Sequence, residues 1–288
     1  MTSPETHTVD APGATVTYDV RSAAESTEPI LLMIGSPMDA SGFTTLAGFF
    51  PDRTVVTYDP RGTGRSAKSE SGESTPEQHA DDVHRVISAL GGGPVDLFAS
   101  SGGAINALAV VARHPEQVRT LVAHEPPAAQ LVADREAALA AVQDIRDTYQ
   151  RDGFGPAMAK FIALTSFEGP VPADYTDRPG PGAADFGLPT EDDGKRDDAL
   201  LGQNIITCTH YEPDFDALAK ASTRIVVAVG AESGQQLARR GGEAVAERLG
   251  TEPVVFPSHH GGFLPPDFGY PGQPEAFAVA LRKVLDEG

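Results

Sequence analysis

The sequence contains no tryptophan and one cysteine, Cys208, among its 288 residues. A single cysteine cannot form an intramolecular disulfide, so nothing in the sequence indicates an oxidising compartment. Basic residues are scarce as well, 22 against 41 acidic ones, which gives a formal net charge of −19 at pH 7. Nucleic acids and anionic membrane surfaces attract proteins with clustered lysine and arginine. We therefore expect neither as a partner.

Long hydrophobic runs are also missing. No stretch approaches the roughly 20 apolar residues that a transmembrane helix requires, and the N-terminal segment MTSPETHTVD lacks the basic start and apolar run of a secretory signal. These absences predict a cytoplasmic protein. Histidine and cysteine pairs at metal-ligand spacing are lacking, so we expect no metal, and we expect no cofactor. The sequence does not predict the oligomeric state.

Apolar segments of strand length recur along the chain and alternate with helical patterns. A chain of this length can form one large α/β domain. Continuous apolar segments indicate strands that are buried on both faces, and their alternation with helices indicates a mostly parallel sheet covered by helices on both sides. The predicted strands are ATVTYDV (14–20), PILLMIG (29–35), TVVTYD (54–59), VDLFAS (95–100), RTLVAHE (119–125), RIVVAVG (224–230) and PVVFPS (253–258).

The alternation stops between residues 126 and 218. Two helical patterns there lead into EGPVPADYTDRPGPG, a stretch too rich in proline, glycine and aspartate for a core element. Strands resume only at Arg224. We therefore predict an α/β core formed by residues 1–125 and 219–288, with residues 126–218 inserted as a helical cap.

The segment VDLFASSGG predicts a strand that turns directly into a helix at Ser101. Serine and glycine also suit an ordinary helix start, so this joint alone does not establish chemistry. Reactive groups in a parallel sheet gather at the carboxyl ends of the strands, however, and Ser101 lies at such an end. A serine nucleophile needs a histidine base that is oriented by a carboxylate. Candidate serine, acidic and histidine residues occur in this order along the chain.

An oxyanion needs backbone N–H donors close to the nucleophile. The N–H of Gly102, at the start of the helix, is well placed for this role. A second donor is expected from the turn after PILLMIG. Because Pro37 has no N–H, we predict Ser36 as that donor.

Three motifs resemble those of cap-bearing, esterase-like α/β-hydrolases. IGSPM resembles the His-Gly-x-Pro oxyanion turn, YDPRGTGRS the Asp-x-Arg-Gly-x-Gly-x-Ser loop, and ASSGG the Gly-x-Ser-x-Gly nucleophile elbow. The sequence departs from the family pattern twice, since Ala99 replaces a glycine and Ile34 replaces the histidine. The resemblance implies an α/β-hydrolase fold and a nucleophilic Ser101.

The resemblance also implies a base and an acid. His260 begins HGGF after the last strand and is preferred over the adjacent His259. For the acid we favour Glu232, which follows Gly230 near the usual position. Glu125 is the alternative, since it ends the preceding predicted strand at the position that dehalogenase-like relatives use.

The motifs are compatible with several functions. We favour a serine hydrolase that cleaves a small or medium ester through an acyl-enzyme on Ser101. The alternatives are a lyase, a cofactor-free oxidative enzyme, or a binding protein on this scaffold. Met38, His210 and Tyr211 are candidate pocket residues, with packing between cap and sheet as the competing interpretation. We expect the histidines that lie on helices or near the N-terminus to be solvated: His7, His79, His84 and His114.

Overall fold

The computed structural model describes residues 3–69, 71–265 and 271–287. The strands in these ranges are β1 (Glu5–Ala11), β2 (Ala14–Arg21), β3 (Leu31–Ile34), β4 (Val55–Tyr58), β5 (Ala67–Lys68), β6 (Val95–Ser100), β7 (Val118–His124), β8 (Arg224–Gly230) and β9 (Val254–Phe256). They form one sheet in the order β1-β2-β4-β3-β6-β7-β8-β9, and β5 pairs with β2. From β4 to β9 the neighbouring strands are parallel, whereas β1, β2 and β5 pair in antiparallel fashion. The predicted mostly parallel sheet is confirmed.

Helices cover both faces of this sheet. They are α1 (Thr44–Gly48), α2 (Pro76–Ala89), α3 (Gly102–Arg113), α4 (Arg135–Asp152), α5 (Phe154–Thr165), α6 (Ile205–Thr209), α7 (Phe215–Lys220), α8 (Leu237–Leu249) and α9 (Pro274–Asp286). A π-helical turn, Ala199–Asn204, precedes α6. The start of α2 is a capping box, in which the Thr75 hydroxyl accepts from Gln78 N and the Gln78 side chain accepts from Thr75 N.

Alternating residues of the central strands supply two hydrophobic clusters, one on each face. In β6, Leu97 packs in the cluster that includes residues of α2, α3 and α8, whereas Phe98 packs with residues of α1 and α9. In β7, Leu121 packs in the same cluster as Leu97, and Val122 packs in the same cluster as Phe98. Burial of each such side chain contributes about 1.5–3 kcal/mol. Because both faces are covered, the strand sequences are apolar throughout rather than alternating.

In the N-terminal hairpin the sequence patterns missed strand β1, whereas β2 covers the predicted strand ATVTYDV. β1 pairs with β2 along its whole length, and the chain reverses at Gly13, which has a φ of +73°. The side chains of β1 are exposed or half-buried, because this strand lies at the edge of the sheet. Threonine, histidine and aspartate therefore replace the apolar residues that would have marked a strand.

The segment between β7 and β8 carries its own hydrophobic cluster. Ile145 and Tyr149 of α4 pack there with Leu201 of the π-helical turn. At the C-terminal end of the segment, α7 places Phe215 and Leu218 in the cluster of the sheet instead. The proposed division at residue 218 falls within that helix, and the domain limits stay a prediction. No helix in the described ranges has the length and apolarity needed to cross a membrane.

Candidate active site

Ser101 occupies a strained turn between β6 and α3. Its φ of +57° and ψ of −130° are unusual for a residue other than glycine. The Ser101 N–H donates to the carbonyl of His124, the last residue of the neighbouring strand β7, at 3.0 Å. This bond holds the backbone in place, so the serine lies beyond the carboxyl end of the sheet at the start of the helix. Strain of this kind is typical of functional sites.

The turn after β3 packs directly against the start of α3. A Cβ on Gly102 would lie 2.6 Å from the carbonyl oxygen of Ser36, and a Cβ on Gly103 would lie 2.8 Å from the backbone of Gly35. No side chain fits at either position. The two glycines are therefore required by close approach of two backbone segments, and they bring Ser36 next to the nucleophile turn.

The loop DPRGTGRS is hydrogen-bonded to the segment that follows the oxyanion turn. Asp59 accepts hydrogen bonds from Ala40 N at 3.0 Å and from Arg65 N at 2.8 Å. Burial raises the pKa of Asp59, but the hydrogen bonds from the Arg65 guanidinium and from the two backbone N–H groups, together with the charge of Arg65, outweigh burial and hold that pKa below the usual value. The carboxylate thus stays charged and links this loop to the segment that follows the oxyanion turn. The loop contributes to structure and presents no group to Ser101.

His260 and Glu125 form a close pair at the carboxyl ends of the next strands. The Nδ1 of His260 lies 2.7 Å from Oε2 of Glu125, and Oε1 of Glu125 accepts from Gly230 N at 2.8 Å. Since a carboxylate only accepts hydrogen bonds, Nδ1 of His260 carries a proton, and in the neutral form of this imidazole Nε2 is an acceptor. Glu125 is fully buried, whereas the His260 side chain is 38 % exposed.

The electrostatics of Glu125 favour the ionised form. Burial raises the pKa of the carboxyl, but the hydrogen bond from His260 and the positive charge of its protonated form, together with smaller contributions from His124 and Ser233, outweigh burial and lower the pKa to about 2. Glu125 also has a positive φ of +46°, so the backbone is held in an uncommon conformation that directs the side chain under His260. A buried, charged carboxylate at this position can orient an imidazole and stabilise its protonated form.

Ser101 and His260 line one cavity between the sheet and the cap. Its volume is about 350 Å³. Ser36 and Gly102 also face it, so the candidate nucleophile, base and oxyanion donors share one chamber. The apolar side chains that line the cavity come mainly from the cap and from α8: Val142, Phe161, Leu164, Leu200, Ile205 and Leu237.

Comparison with known proteins identifies the fold family. A sequence model of the alpha/beta hydrolase fold matches residues 28–199. The chain belongs to the α/β-hydrolase family. A protein of Bacillus subtilis described as the uncharacterized hydrolase YraK is 32% identical over 273 residues, which is 89% of each chain. The expectation of an α/β-hydrolase is thus confirmed.

Solved α/β-hydrolase structures share the fold over nearly the whole chain. A thermophilic esterase from Thermogutta terrifontis superposes with a TM-score of 0.67 at 20% identity, covering 99% of both chains. The enol-lactonase from Burkholderia xenovorans LB400 gives a TM-score of 0.66 at 18% identity, covering 97% of this chain and 100% of that one. At these identities the likeness concerns the fold alone.

The structure pairs His260 with the alternative acid and not with Glu232, the acid preferred from the sequence. Glu232 does not contact His260 in this α/β-hydrolase, because the chain beyond Gly230 turns outward and leaves the side chain exposed. Its Oε1 accepts from the Gln273 amide at 3.0 Å. The carboxylate that the structure brings to His260 is Glu125, the alternative. His259 faces elsewhere, and its Nε2 lies 3.3 Å from the carbonyl of Pro271.

The pocket residues suggested from the sequence do not line the cavity at Ser101. Met38 packs in the cluster of α1 and α9, and its side chain fills the space beside Gly42. Tyr211 packs against the opposite cluster of the sheet, and the ring of His210 bonds to the Thr209 hydroxyl. For all three residues packing or local bonding, rather than substrate contact, explains the position. The cap residues that do line the cavity precede His210 in the chain, from Pro127 to Thr209.

The two departures from the family motifs are neighbours in the sheet. Ile34 of β3 and Ala99 of β6 are paired directly in the parallel register, and both are fully buried. Where the family pattern has a histidine beside a glycine, this chain has a larger apolar residue beside a small one. The oxyanion turn therefore lacks the hydrogen bond of a histidine at this point.

Sequence patterns missed two buried polar residues close to the cavity. His79, expected to be solvated, is fully buried, and its Nε2 lies 2.8 Å from Oδ1 of Asn204. The signal was present, since His79 shares one face of α2 with Val83 and Val86 at helical spacing. Asn204 lay in a segment that gave no periodic pattern. Within the described ranges no group of three or more histidine, cysteine, aspartate or glutamate side chains is arranged to hold a metal ion.

Proposed function

We propose that this α/β-hydrolase is a serine hydrolase that cleaves an uncharged ester through an acyl-enzyme on Ser101. The observation that carries the proposal is the bond between Nδ1 of His260 and the Glu125 carboxylate, because His260 lines the same cavity as Ser101. A serine on a strained turn, a histidine with its Nε2 available and a buried carboxylate are the parts that acyl transfer requires.

The proposed reaction proceeds in two halves. The Oγ of Ser101 attacks the ester carbonyl carbon while its proton passes to Nε2 of His260. The N–H groups of Gly102 and Ser36 donate to the resulting oxyanion. Collapse of this intermediate breaks the bond to the leaving oxygen, which takes the proton from His260. Water then attacks the acyl-enzyme with His260 as base, which releases the carboxylic acid and restores the serine.

The cavity supports a neutral and largely apolar substrate. No aspartate, glutamate, lysine or arginine side chain is among the described residues that line it. A charged acyl or leaving group would lose its hydration there without an ionic partner, which is costly. The volume of about 350 Å³ is at the small end of the range for ligand pockets. Short to medium acyl chains therefore fit the proposal best.

Lactones extend the same chemistry to cyclic esters. The structurally similar proteins include an esterase and an enol-lactonase. Ring opening of a lactone forms the same acyl-enzyme and needs no further group. A neutral lactone is thus a second substrate class to test beside open-chain esters.

A fluorophosphonate probe tests the nucleophile, because it phosphonylates only an activated serine. We expect labelling of the wild type and none of Ser101→Ala. Ser100→Ala is the matched control, since Ser100 is the adjacent residue but is buried and bonds through Oγ to His124 Nδ1 at 3.1 Å. We expect Ser100→Ala to be labelled at Ser101, as in the wild type, and peptide mass spectrometry locates the labelled residue.

A panel of p-nitrophenyl esters of increasing acyl length then measures the substrate range. We expect kcat/KM to peak at short or medium chains, and a charged acyl group such as succinyl to react poorly. Turnover of Ser101→Ala above a tenth of the wild-type rate, with an unchanged melting curve, would contradict the acyl-enzyme. That result would favour a lyase, an oxidative enzyme or a binding protein.

A further inference from the structure

The cap and the oxyanion turn meet in a buried polar cluster formed by Ser36, His79 and Asn204. Asn204 ends the π-helical turn, is 1 % exposed and borders the cavity. Its Oδ1 lies 2.8 Å from His79 Nε2 and 3.5 Å from the Ser36 hydroxyl. Its Nδ2 donates to the carbonyl of Ala199 at 2.6 Å.

These partners fix the orientation of the Asn204 amide. His79 is fully buried, and burial lowers its pKa to about 4, so the imidazole is neutral at pH 7. The Ala199 carbonyl can only accept, which places the amide nitrogen of Asn204 on that side and its oxygen towards His79. A rotation of the amide would leave buried polar groups without partners, which is unfavourable. The oxygen is therefore held next to Ser36.

Ser36 connects this amide to the nucleophile turn. Its hydroxyl faces Asn204, while its carbonyl oxygen abuts Gly102 closely enough to exclude a Cβ there. The two proposed oxyanion donors thus belong to segments that touch each other. A displacement of Ser36 towards the space left by a missing Asn204 side chain would change the spacing of both N–H groups.

We propose that Asn204 is a positioning residue, which, held by His79 across the interface of cap and core, fixes Ser36 and thereby the oxyanion donors. This inference rests on the proposed acyl-enzyme function. It assigns to the cap a part in catalysis besides forming the wall of the substrate cavity. Asn204 acts through Ser36 and does not itself bond the reacting atoms.

The test compares kcat and KM for Asn204→Ala with the wild type. We expect kcat to fall by about tenfold or more while KM changes little, because a small displacement of a group that binds the transition state mainly affects the chemical step. The rate of fluorophosphonate labelling should fall in parallel. Asn204→Asp keeps an acceptor oxygen beside Ser36 and His79, so its kcat is expected to lie between those of Asn204→Ala and the wild type.

Gln203→Ala is the matched control for damage to the π-helical turn. Gln203 is the preceding residue, and its side chain bonds at the surface to Lys68 and to the carbonyl of Asp197. We expect kcat of this variant to stay near wild type even where its melting midpoint falls. Equal kcat for Asn204→Ala and Gln203→Ala would overturn the inference. Asn204→Leu serves where Asn204→Ala does not fold, because it removes the acceptor oxygen beside Ser36 and keeps a side chain of similar size. A kcat for this variant equal to that of Gln203→Ala would overturn the inference as well.

A double-mutant cycle with Ser36→Ala tests the route of action. If Asn204 acts through the Ser36 hydroxyl, Asn204→Ala should lower kcat much less in the Ser36→Ala background than in the wild type. Independent, multiplying effects would overturn the inference while leaving the acyl-enzyme intact. Undiminished turnover by Ser101→Ala would instead overturn the proposed function and this inference together. The two failures are therefore distinguishable.

Discussion

Glu125 and His260 are 135 residues apart in the chain, yet the Glu125 carboxylate lies 2.7 Å from Nδ1 of His260. Glu125 directly follows β7, and His260 follows β9, with β8 between these strands. Because the three strands are parallel, their carboxyl ends lie on one edge of the sheet. The Glu125 side chain reaches across the end of β8 and is held there by Gly230 N.

This relationship predicts unequal effects of two conservative substitutions. Glu125→Gln should lower kcat by about a thousandfold or more, since an amide neither stabilises the imidazolium nor enforces the tautomer. Glu232→Gln is the matched control and should alter kcat little, because Glu232 contacts Gln273 at the surface. Steady-state kinetics on a p-nitrophenyl ester provides the measurement. If Glu232→Gln lowers kcat more than Glu125→Gln does, the acid is Glu232, which follows β8.

The two adjacent histidines should likewise differ in their effects. His260→Ala should lower kcat nearly as much as Ser101→Ala, because the members of a catalytic unit are not additive in their losses. His259→Ala should have a much smaller effect, since the His259 ring bonds to Pro271 and to Gly261 N instead. A larger loss of kcat for His259→Ala than for His260→Ala would exclude His260 as the base.

The strands that carry the site could be predicted from the sequence because burial on both faces makes them continuously apolar. RIVVAVG coincides with β8, and VDLFAS coincides with β6. The position of Ser101 could be predicted as well, since it directly follows β6 and precedes two glycines, where only glycine fits next to the turn of Ser36. These features depend on local sequence and on one close backbone contact.

The acid and the pocket could not be predicted in the same way. Both Glu125 and Glu232 follow strand ends, and only the outward path of the chain after Gly230 separates them. The cavity wall depends on how α4, α5 and the π-helical turn fold over the sheet, and no local pattern encodes that packing. His210 and Tyr211 looked plausible from proximity in sequence, whereas Asn204 belongs to a segment without periodicity.

A buried histidine next to the site predicts the pH dependence of stability. His124 lies in a cage of aromatic rings, and burial lowers its pKa to about 4. In the unfolded chain an ordinary histidine has a pKa of about 6.5. Protons therefore bind the unfolded state more readily, so stability is fully present above about pH 6.5 and decreases as the pH falls towards 4.

The variant His124→Phe should reduce this dependence, because it keeps an aromatic ring in the cage and removes the titrating group. We expect its melting midpoint to fall less steeply than that of the wild type between pH 7 and pH 5. Ser100→Ala removes the hydroxyl partner of His124 but leaves the imidazole buried, and it should retain the wild-type slope. Parallel curves for His124→Phe and the wild type would contradict this account.

The nucleophile turn and the oxyanion turn approach each other closely at Gly102 and Ser36. In Gly102→Ala the new Cβ would lie 2.6 Å from the Ser36 carbonyl oxygen and 3.3 Å from Cys208 Sγ. A backbone atom cannot rotate aside as a side chain does, so one of the two turns must shift. Loss of one oxyanion donor costs about a hundredfold to a thousandfold in kcat, and we expect an effect of that order.

The control for Gly102→Ala is Gly180→Ala, because a Cβ at Gly180 meets no described atom within 4 Å and its φ is not in the left-handed region. Gly180→Ala should match the wild type in kcat and in melting midpoint. Fluorophosphonate labelling of Gly102→Ala should be slowed along with ester turnover, since phosphonylation also places an oxygen at the donors. A kcat for Gly102→Ala within about twofold of the wild type would be far from the loss expected when one donor is removed. That result would show that the separation of Ser36 and Gly102 does not control the reaction.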